Sequence, residues 1–136
     1  MINEHELVGA VGFSTMNVRP GDTSVAIGVG DLPVLAPAFI LNAMQTASLA
    51  SIAEFLDSGE STYESEIHIQ MHSGVAIGGQ VRTVASVTAF DGREIAFECQ
   101  MHEGDRLVAS AILKRVAVER VSFLARTAAQ SITAVN

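Results

Sequence analysis

The stretch AFILNAMQTASLASIAEFL, from Ala38 to Leu56, decides the fold of this chain. It is apolar nearly all round, which is typical of a buried helix rather than a surface helix. Pro37 suits the first turn of that helix, and Ser58-Gly59 suits its end. At 1.5 Å per residue the helix would be about 28 Å long. Its alanines would let a sheet approach closely.

The residues on both sides of this helix show the alternation of strands. Before the helix, residues 8–18 predict a first strand, and Thr23–Val29 predict a second short strand or edge segment after the turn at 19–22. After it, a meander of four strands is predicted over Glu66–His72, Gln80–Phe90, Arg93–Glu103 and Arg106–Glu119, with Asp91-Gly92 as a hairpin signal.

One long helix wrapped by a curled antiparallel sheet of about five to six strands is an α+β architecture. The whole chain has 136 residues, which fits one domain. We expect that domain over residues 1–126 and a C-terminal tail, frayed or docked, over residues 127–136, with the last strand ending near 119.

Composition excludes several classes of function. The 15 acidic residues outnumber the 8 Lys and Arg residues, and this balance repels nucleic acid and anionic membranes. No apolar run reaches the ~18 residues of a bilayer span. The N-terminus lacks the pattern of a signal peptide, and Cys99, the only cysteine, cannot form an intrachain disulfide. We therefore expect a cytoplasmic protein with no nucleic-acid or membrane partner.

Polar side chains on the helix mark a candidate site. Asn42, Gln45 and Thr46 lie at positions i, i+3 and i+4, so they share a face. They follow the helix N-terminus at Pro37, where unpaired N–H groups and partial positive charge can stabilise an oxyanion. The alternative is that these three side chains only satisfy backbone or subunit contacts.

His72, at the end of an alternating strand, is a candidate general base because histidine titrates near neutrality. His68 shares its face and is a rival. Cys99 is expected to be a core residue rather than a nucleophile. No set of His, Cys, Asp or Glu has metal-ligand spacing, so no metal is predicted. No serine has the Gly-x-Ser-x-Gly setting of a hydrolase triad.

Four segments carry a family resemblance. They are Gly30–Ala36 with the helix after it, Ile69–His72 followed by a glycine pair, Asp91–Arg93, and Lys114–Val118 leading to Phe123–Arg126. Their order and spacing resemble the hot-dog thioesterases of the fluoroacetyl-CoA thioesterase type. The similarity runs from about residue 8 to residue 126.

This resemblance implies a hot-dog fold and a homodimer or higher oligomer, in which two helices lie side by side under a continuous sheet. It implies acyl-CoA or acyl-carrier substrates bound at the subunit interface, with coenzyme A as part of the substrate and no separate cofactor. The family's reactive His falls on His72, its Thr on Pro37 and its helix Glu on Gln45. A further family His, on the last strand, falls on Leu113.

Glutamine has no titratable proton, so Gln45 can be neither base nor nucleophile, but it can hold a water or a thioester oxygen. Our first hypothesis is hydrolysis of an acyl thioester, with His72 as base, Gln45 positioning water, and substrate contacts from Pro37, Ala38, Phe39, Asn42 and Thr46. The second hypothesis is a non-hydrolytic acyl-ligand binder or a divergent hot-dog enzyme acting on a related ligand. A dehydratase or hydratase ranks lower, because the helix start lacks a paired Asp and His. Charge alone makes Arg82, Lys114 and Arg115 candidates for phosphate contacts.

Overall fold

The structure is a computed structural model and describes residues 4–135. Its helices are α1 (Glu4–Leu7), α2 (Pro37–Ile52) and α3 (Arg120–Val135), with short 3-10 turns at Pro20–Asp22 and Ala53–Phe55. Its strands are β1 (Val11–Asn17), β2 (Glu60–Met71), β3 (Gln80–Phe90), β4 (Glu94–Glu103) and β5 (Arg106–Glu119).

The five strands form one antiparallel sheet in the order β1-β3-β4-β5-β2. β3, β4 and β5 form the predicted meander, and Asp91 Oδ1 closes the first hairpin by accepting the N–H groups of Arg93 and Glu94 at 2.9 and 2.7 Å. β1 and β2 are the two edges. The predicted α+β fold, with one long helix against a curled sheet, is confirmed.

α2 packs its inner face on the sheet, over β1 and β3 and to a lesser degree β4. Pro37 occupies its first turn as predicted, and Ile40, Met44 and Ala47 are buried there. The closest approach is at Gly12 on β1, where a Cβ atom would lie 2.1 Å from the carbonyl oxygen of Ala47. Only glycine therefore lets β1 lie this close to the helix.

The expectation that α2 is buried all round is wrong for a single chain. Ala38, Asn42, Thr46, Leu49 and Ala50 are exposed on its far side, because one sheet covers only one face of a helix. The sheet is in turn wider than the helix. At the β2 edge, Ile67 and Met71 are 43% and 48% exposed, although they pair with buried residues of β5.

The predicted boundaries differ most from the structure at three places. The predicted second strand, Thr23–Val29, is a series of turns, and only Thr23 makes an isolated bridge, to Leu35. The α-helical part of the central helix ends at Ile52 rather than Leu56. β2 begins at Glu60, six residues before the predicted start, and a bulge lies between Glu64 and Glu66.

The C-terminal segment, expected as a frayed or docked tail, is the helix α3, and the expected domain boundary after Arg126 falls inside it. Phe123 packs on Tyr63 of β2 with ring centroids 5.2 Å apart, while Val121 and Leu124 are exposed. No helix within residues 4–135 has the length and apolar character that a bilayer span requires.

Candidate functional site

Gln45 belongs to a buried polar cluster between α2 and the edge strand β2. Its Nε2 donates to Oε1 of Glu64 at 2.9 Å, and the same oxygen accepts from Nη1 of Arg115 at 3.2 Å. The Glu64 and Arg115 side chains are only 12% and 11% exposed. The register places Glu64 opposite Arg115 on β5, so the ion pair is a cross-strand pair on the helix side of the sheet.

Arg115 is anchored a second time within this cluster. Its Nε donates to Thr62 Oγ1 at 2.7 Å, and its Nη2 donates to the Thr62 carbonyl at 3.2 Å. The second carboxylate oxygen of Glu64, Oε2, is closed to solvent and has no hydrogen-bond partner among the described residues. A buried acceptor without a partner costs about 1–3 kcal/mol in the free energy of unfolding. Stability alone therefore does not explain why the cluster is built this way.

The predicted polar face of α2 divides in two. Gln45 turns toward β2, whereas Asn42 and Thr46, with Phe39, line a cleft of about 370 Å³ between α2 and β1. The hydroxyl of Thr46 donates to the carbonyl of Asn42 at 2.9 Å. For Thr46, therefore, the structure shows the backbone contact that was the alternative to a substrate contact.

The N-terminus of α2 offers fewer donors than the sequence suggested. Pro37 has no N–H, and the N–H of Phe39 donates to the Ala36 carbonyl at 3.0 Å. The N–H of Ala38 makes no hydrogen bond to any residue that the structure describes, and Ala38 is exposed. One donor, on Ala38, is thus available to an outside acceptor at this helix end.

His72 lies at the other end of β2, one residue beyond its last position, and it is exposed. Its N–H donates to the Val108 carbonyl at 2.7 Å, and its ring Nε2 lies 2.8 Å from Ser110 Oγ. A histidine with one ring nitrogen on a hydroxyl keeps the other nitrogen for a further partner.

The structure does not bring Gln45 and His72 of one chain together. Gln45 contacts Glu64, and at about 3.3 Å per residue the eight positions from Glu64 to His72 span roughly 26 Å. The two predicted reactive side chains therefore mark opposite ends of the same exposed edge strand.

His68, the rival candidate, is 72% exposed, and its Nε2 lies 4.0 Å from Glu66 Oε2. It lines a cleft of about 650 Å³ on the face of the sheet away from α2, together with Gln70, Gln100 and Ser110. His72 contacts the rim of this cleft through Ser110. None of the helix residues of the candidate site line it.

Cys99 is buried, with Sγ 3.5 Å from Ser48 Oγ. Burial raises the pKa of its thiol, although the contact with Ser48 acts in the opposite direction. A thiol that stays protonated is a poor nucleophile, in agreement with its assignment to the core. Within residues 4–135, no group of three or more His, Cys, Asp or Glu residues is placed to hold a metal ion.

The three residues predicted as phosphate contacts lie in different environments. Arg115 is wrong as a candidate, because it is buried and bound to Glu64 and Thr62. Lys114 forms ion pairs with Glu66 at 3.3 Å and Glu94 at 3.7 Å, and the hydrogen bond to Glu66 raises its pKa. Arg82 is exposed and lines a cleft with His102 on the surface.

Sequence reasoning missed Glu64 entirely. The alternation that predicted β2 was taken from Glu66 onward, where odd-numbered residues face the helix side. The bulge between Glu64 and Glu66 shifts this phase, so Glu64 also faces the helix side although Glu66 does not. The available signal was Arg115, a charged residue at an inward position of the last strand that required a buried acidic partner.

The chain is similar to known proteins in both sequence and fold. A family model described as fluoroacetyl-CoA-specific thioesterase matches residues 18–121. That span includes α2, all of β2 to β5, Gln45, Glu64 and His72. No curated protein matches the chain by sequence.

Several solved structures have the same fold. The fluoroacetyl-CoA thioesterase FlK superposes with a TM-score of 0.81 at 21% identity, over 88% of this chain and 93% of its own. A thioesterase superfamily member from Thermus thermophilus gives 0.81 at 21% identity, over 93% and 96%. A hot-dog-like protein from Thermanaerovibrio acidaminovorans gives 0.85 at 19% identity, over 93% and 95%.

Proposed function

Because this chain belongs to the fluoroacetyl-CoA-specific thioesterase family, we propose that it hydrolyses an acyl-CoA or acyl-carrier thioester in a site shared by two copies of the chain. The observation that supports this most strongly is the exposed edge strand β2. It holds the Gln45–Glu64 contact at one end and His72 at the other.

Two surfaces of the single chain favour a homodimer. β2 is a twelve-residue edge strand with unpaired backbone groups and exposed apolar side chains at Ile67 and Met71. A long exposed edge of this kind is a pairing surface. Beside it, the outer face of α2 exposes Leu49 and small alanines that a second helix can approach closely.

A two-fold axis brings the two candidate regions together. In an isologous dimer each β2 pairs with the other β2, and the two strands run antiparallel. With the axis near His68, midway between Glu64 and His72, the His72 end of one chain lies beside the Glu64 end of its partner. Each dimer then has two equivalent sites, each with Gln45 from one chain and His72 from the other, once the His72 ring leaves Ser110 and turns to the helix side of the sheet.

The chemistry in this arrangement is base-catalysed attack of water. His72 takes a proton from water, whose oxygen attacks the thioester carbonyl carbon while Gln45 holds it by hydrogen bonds. The oxyanion accepts the N–H of Ala38 at the positive end of α2. The C–S bond then breaks, the thiolate leaves with the proton that His72 returns, and a carboxylic acid and a free thiol remain.

The cleft between α2 and β1, where Phe39, Asn42 and Thr46 lie, would hold the part of the substrate beyond the reacting carbonyl, because Gln45 lies on the β2 side of α2. Pro37 and Ala38 border the reacting carbonyl. Arg19, whose side chain is 80% exposed and lies 3.5 Å from Asp22, lines the same cleft, so it is a candidate contact for a negatively charged part of the thiol carrier.

The absence of two family residues from α2 favours a second candidate function. The family's helix Glu is Gln45 here and its Thr is Pro37, so two reactive groups of the resemblance are absent from α2. A non-hydrolytic acyl-ligand binder, or a divergent enzyme acting on the same ligand, would keep the fold and the dimer without those groups.

The test is a panel of acyl-CoA thioesters of increasing acyl length, read by release of free thiol. Hydrolysis with saturation kinetics by the wild-type chain, and its loss in His72→Ala, supports the thioesterase. Saturable binding of an acyl-CoA without turnover of any member favours the binder. Size-exclusion chromatography with light scattering tests the dimer, and a monomer at assay concentration would contradict the shared site.

A further inference from the structure

Among residues 4–135, Glu64 is the only carboxylate hydrogen-bonded to Gln45 or His72. Its Oε1 accepts from Gln45 at 2.9 Å, across the gap between α2 and β2. The family resemblance implies a carboxylate at position 45, on the helix. Here the helix carries the amide, and a carboxylate lies in direct contact with it from the neighbouring strand.

The contact determines which way the amide of Gln45 points. An ionised carboxylate only accepts hydrogen bonds, so the NH₂ group of Gln45 must face Glu64. The carbonyl oxygen of Gln45 then faces away from Glu64 and presents an acceptor. A hydrogen bond to a charged acceptor is roughly twice as strong as a neutral one, so this orientation is firmly held.

Arg115 keeps the carboxylate in place. It donates to Glu64 Oε1 at 3.2 Å while its Nε and Nη2 are held by Thr62. A buried carboxylate needs such a positive partner, because an unpaired buried charge is costly. The remaining oxygen, Oε2, has no partner among residues 4–135 and can accept a donor that comes from outside the chain, such as water.

We propose that Glu64 is the positioning residue of the active site: it orients Gln45 with its carbonyl oxygen toward the attacking water and supplies from β2 the negative charge that the resemblance places on α2. This inference rests on the proposed thioester hydrolysis. Glu64 acts through Gln45, and His72 of the partner chain remains the group that takes the proton.

The first experiment compares Glu64→Gln with Glu66→Gln. Glu66 is the matched control, since it lies on the same strand and forms an ion pair with Lys114, but faces solvent. A misplaced reacting group costs on the order of 100-fold, so E64Q should lower kcat by about that factor with KM nearly unchanged. E66Q should leave both near wild-type, because exposed ion pairs contribute little.

The second experiment exchanges the two groups. Gln45→Glu alone places two carboxylates in contact, and like charges so close share a proton. Its kcat should fall and gain a dependence on a group titrating well above the ordinary glutamate range. The exchange variant Q45E/E64Q keeps one amide and one carboxylate in contact and moves the negative charge to α2, so it should recover most of the activity and lose that pH dependence.

A residue needed only for folding would not show this pattern. Thermal melts and circular dichroism of each variant identify a folding defect, and if E64Q is unstable the exchange variant carries the test. Q45E/E64Q no more active than Q45E would overturn the inference, as would E64Q with the kcat of E66Q. Wild-type protein that hydrolyses no thioester of the panel overturns the proposed function and this inference together.

Discussion

The two ends of β2 differ in burial and in what they contact. At the Glu64 end, three side chains from α2, β2 and β5 form a buried charged cluster, covered on the opposite face by the packing of Phe123 on Tyr63. At the other end, His72 is exposed, and its hydrogen bonds within residues 4–135 are to Ser110 and the Val108 carbonyl of β5.

The buried end is suited to orienting a reactant, and the exposed end is suited to proton transfer. A buried, multiply bonded cluster holds one geometry, as a group that orients water must. An exposed imidazole is free to exchange its proton. One chain keeps the two properties about two dozen ångströms apart along a single strand. The comparison therefore predicts that only an antiparallel second copy joins them, and each end can be tested separately.

The largest expected effect is at the exposed end. His72→Ala should lower kcat for thioester hydrolysis by about 10²–10⁴-fold, the usual contribution of a general base. Its stability should change little, because an exposed side chain seldom contributes more than about 0.5 kcal/mol. Free-thiol release and thermal melts measure the two quantities.

His68→Ala is the control, since His68 is exposed on the same strand. We expect its kcat to stay near wild-type. A large loss in H68A together with wild-type activity in H72A would move the base to His68 and to the cleft on the outer face of the sheet.

The next prediction concerns the joining of the two ends. His72→Ala and Gln45→Ala chains, unfolded together and refolded as a mixture, should form heterodimers with one intact site out of two. Random assortment makes half of the dimers mixed, so activity should return to about a quarter of the wild-type value. Each variant refolded alone should remain at its own low level.

The matched control is a mixture of H72A with the double variant H72A/Q45A, which contains no complete site in any combination. If the first mixture is no more active than this control, although native mass spectrometry shows mixed dimers, Gln45 and His72 do not act in one site across the interface.

At the buried end the effect should be on stability. Arg115→Met leaves Glu64 as an uncompensated buried charge, which typically costs about 3–5 kcal/mol in the free energy of unfolding. Urea titration followed by circular dichroism measures this loss. R115M/E64Q removes the stranded charge and should regain part of the stability. Lys114→Met, which removes exposed ion pairs, serves as the control. Equal stability of R115M and K114M would contradict the contrast between the two ends.

The sequence allowed some of these features to be predicted but not others. α2 and the β3–β5 meander follow from apolar periodicity and from the Asp91-Gly92 turn, which are local signals, and His72 followed from its place at the end of an alternating run. Glu64 did not, because the bulge beside it changes the period of the strand. The position of β2 at the edge, which leaves its backbone free for a partner, depends on strand order. Strand order is set by packing over the whole chain rather than by any local pattern.

α3 is a different case, because its apolar residues are spaced as in a helix but are mostly exposed, and the helix begins at a cap. Glu119 ends β5 and caps the helix, as its carboxylate accepts the N–H groups of Ser122 at 2.7 Å and Val121 at 3.3 Å. The hydrogen bond from Ser122 holds the pKa of Glu119 below its ordinary value of 4.5. Val121, Leu124, Ala128 and Ile132 recur at helical spacing, so the sequence carried a helix signal that the prediction of a frayed or docked tail did not use.

The smallest predicted effect comes from this cap, which lies beside the buried end of β2. Because the pKa of Glu119 is lowered in the folded protein, the ionised form stabilises α3 at neutral pH. The contribution is lost as the pH falls through that lowered value. Glu119→Gln should therefore reduce the helical circular dichroism signal slightly at neutral pH, and its difference from wild-type should vanish in acid. Glu98→Gln, an exposed carboxylate on the outer face, should show no difference at either pH. A helical loss in E119Q that persists unchanged in acid would mean that side-chain packing, rather than the charge of the cap, holds α3 against this end of the strand.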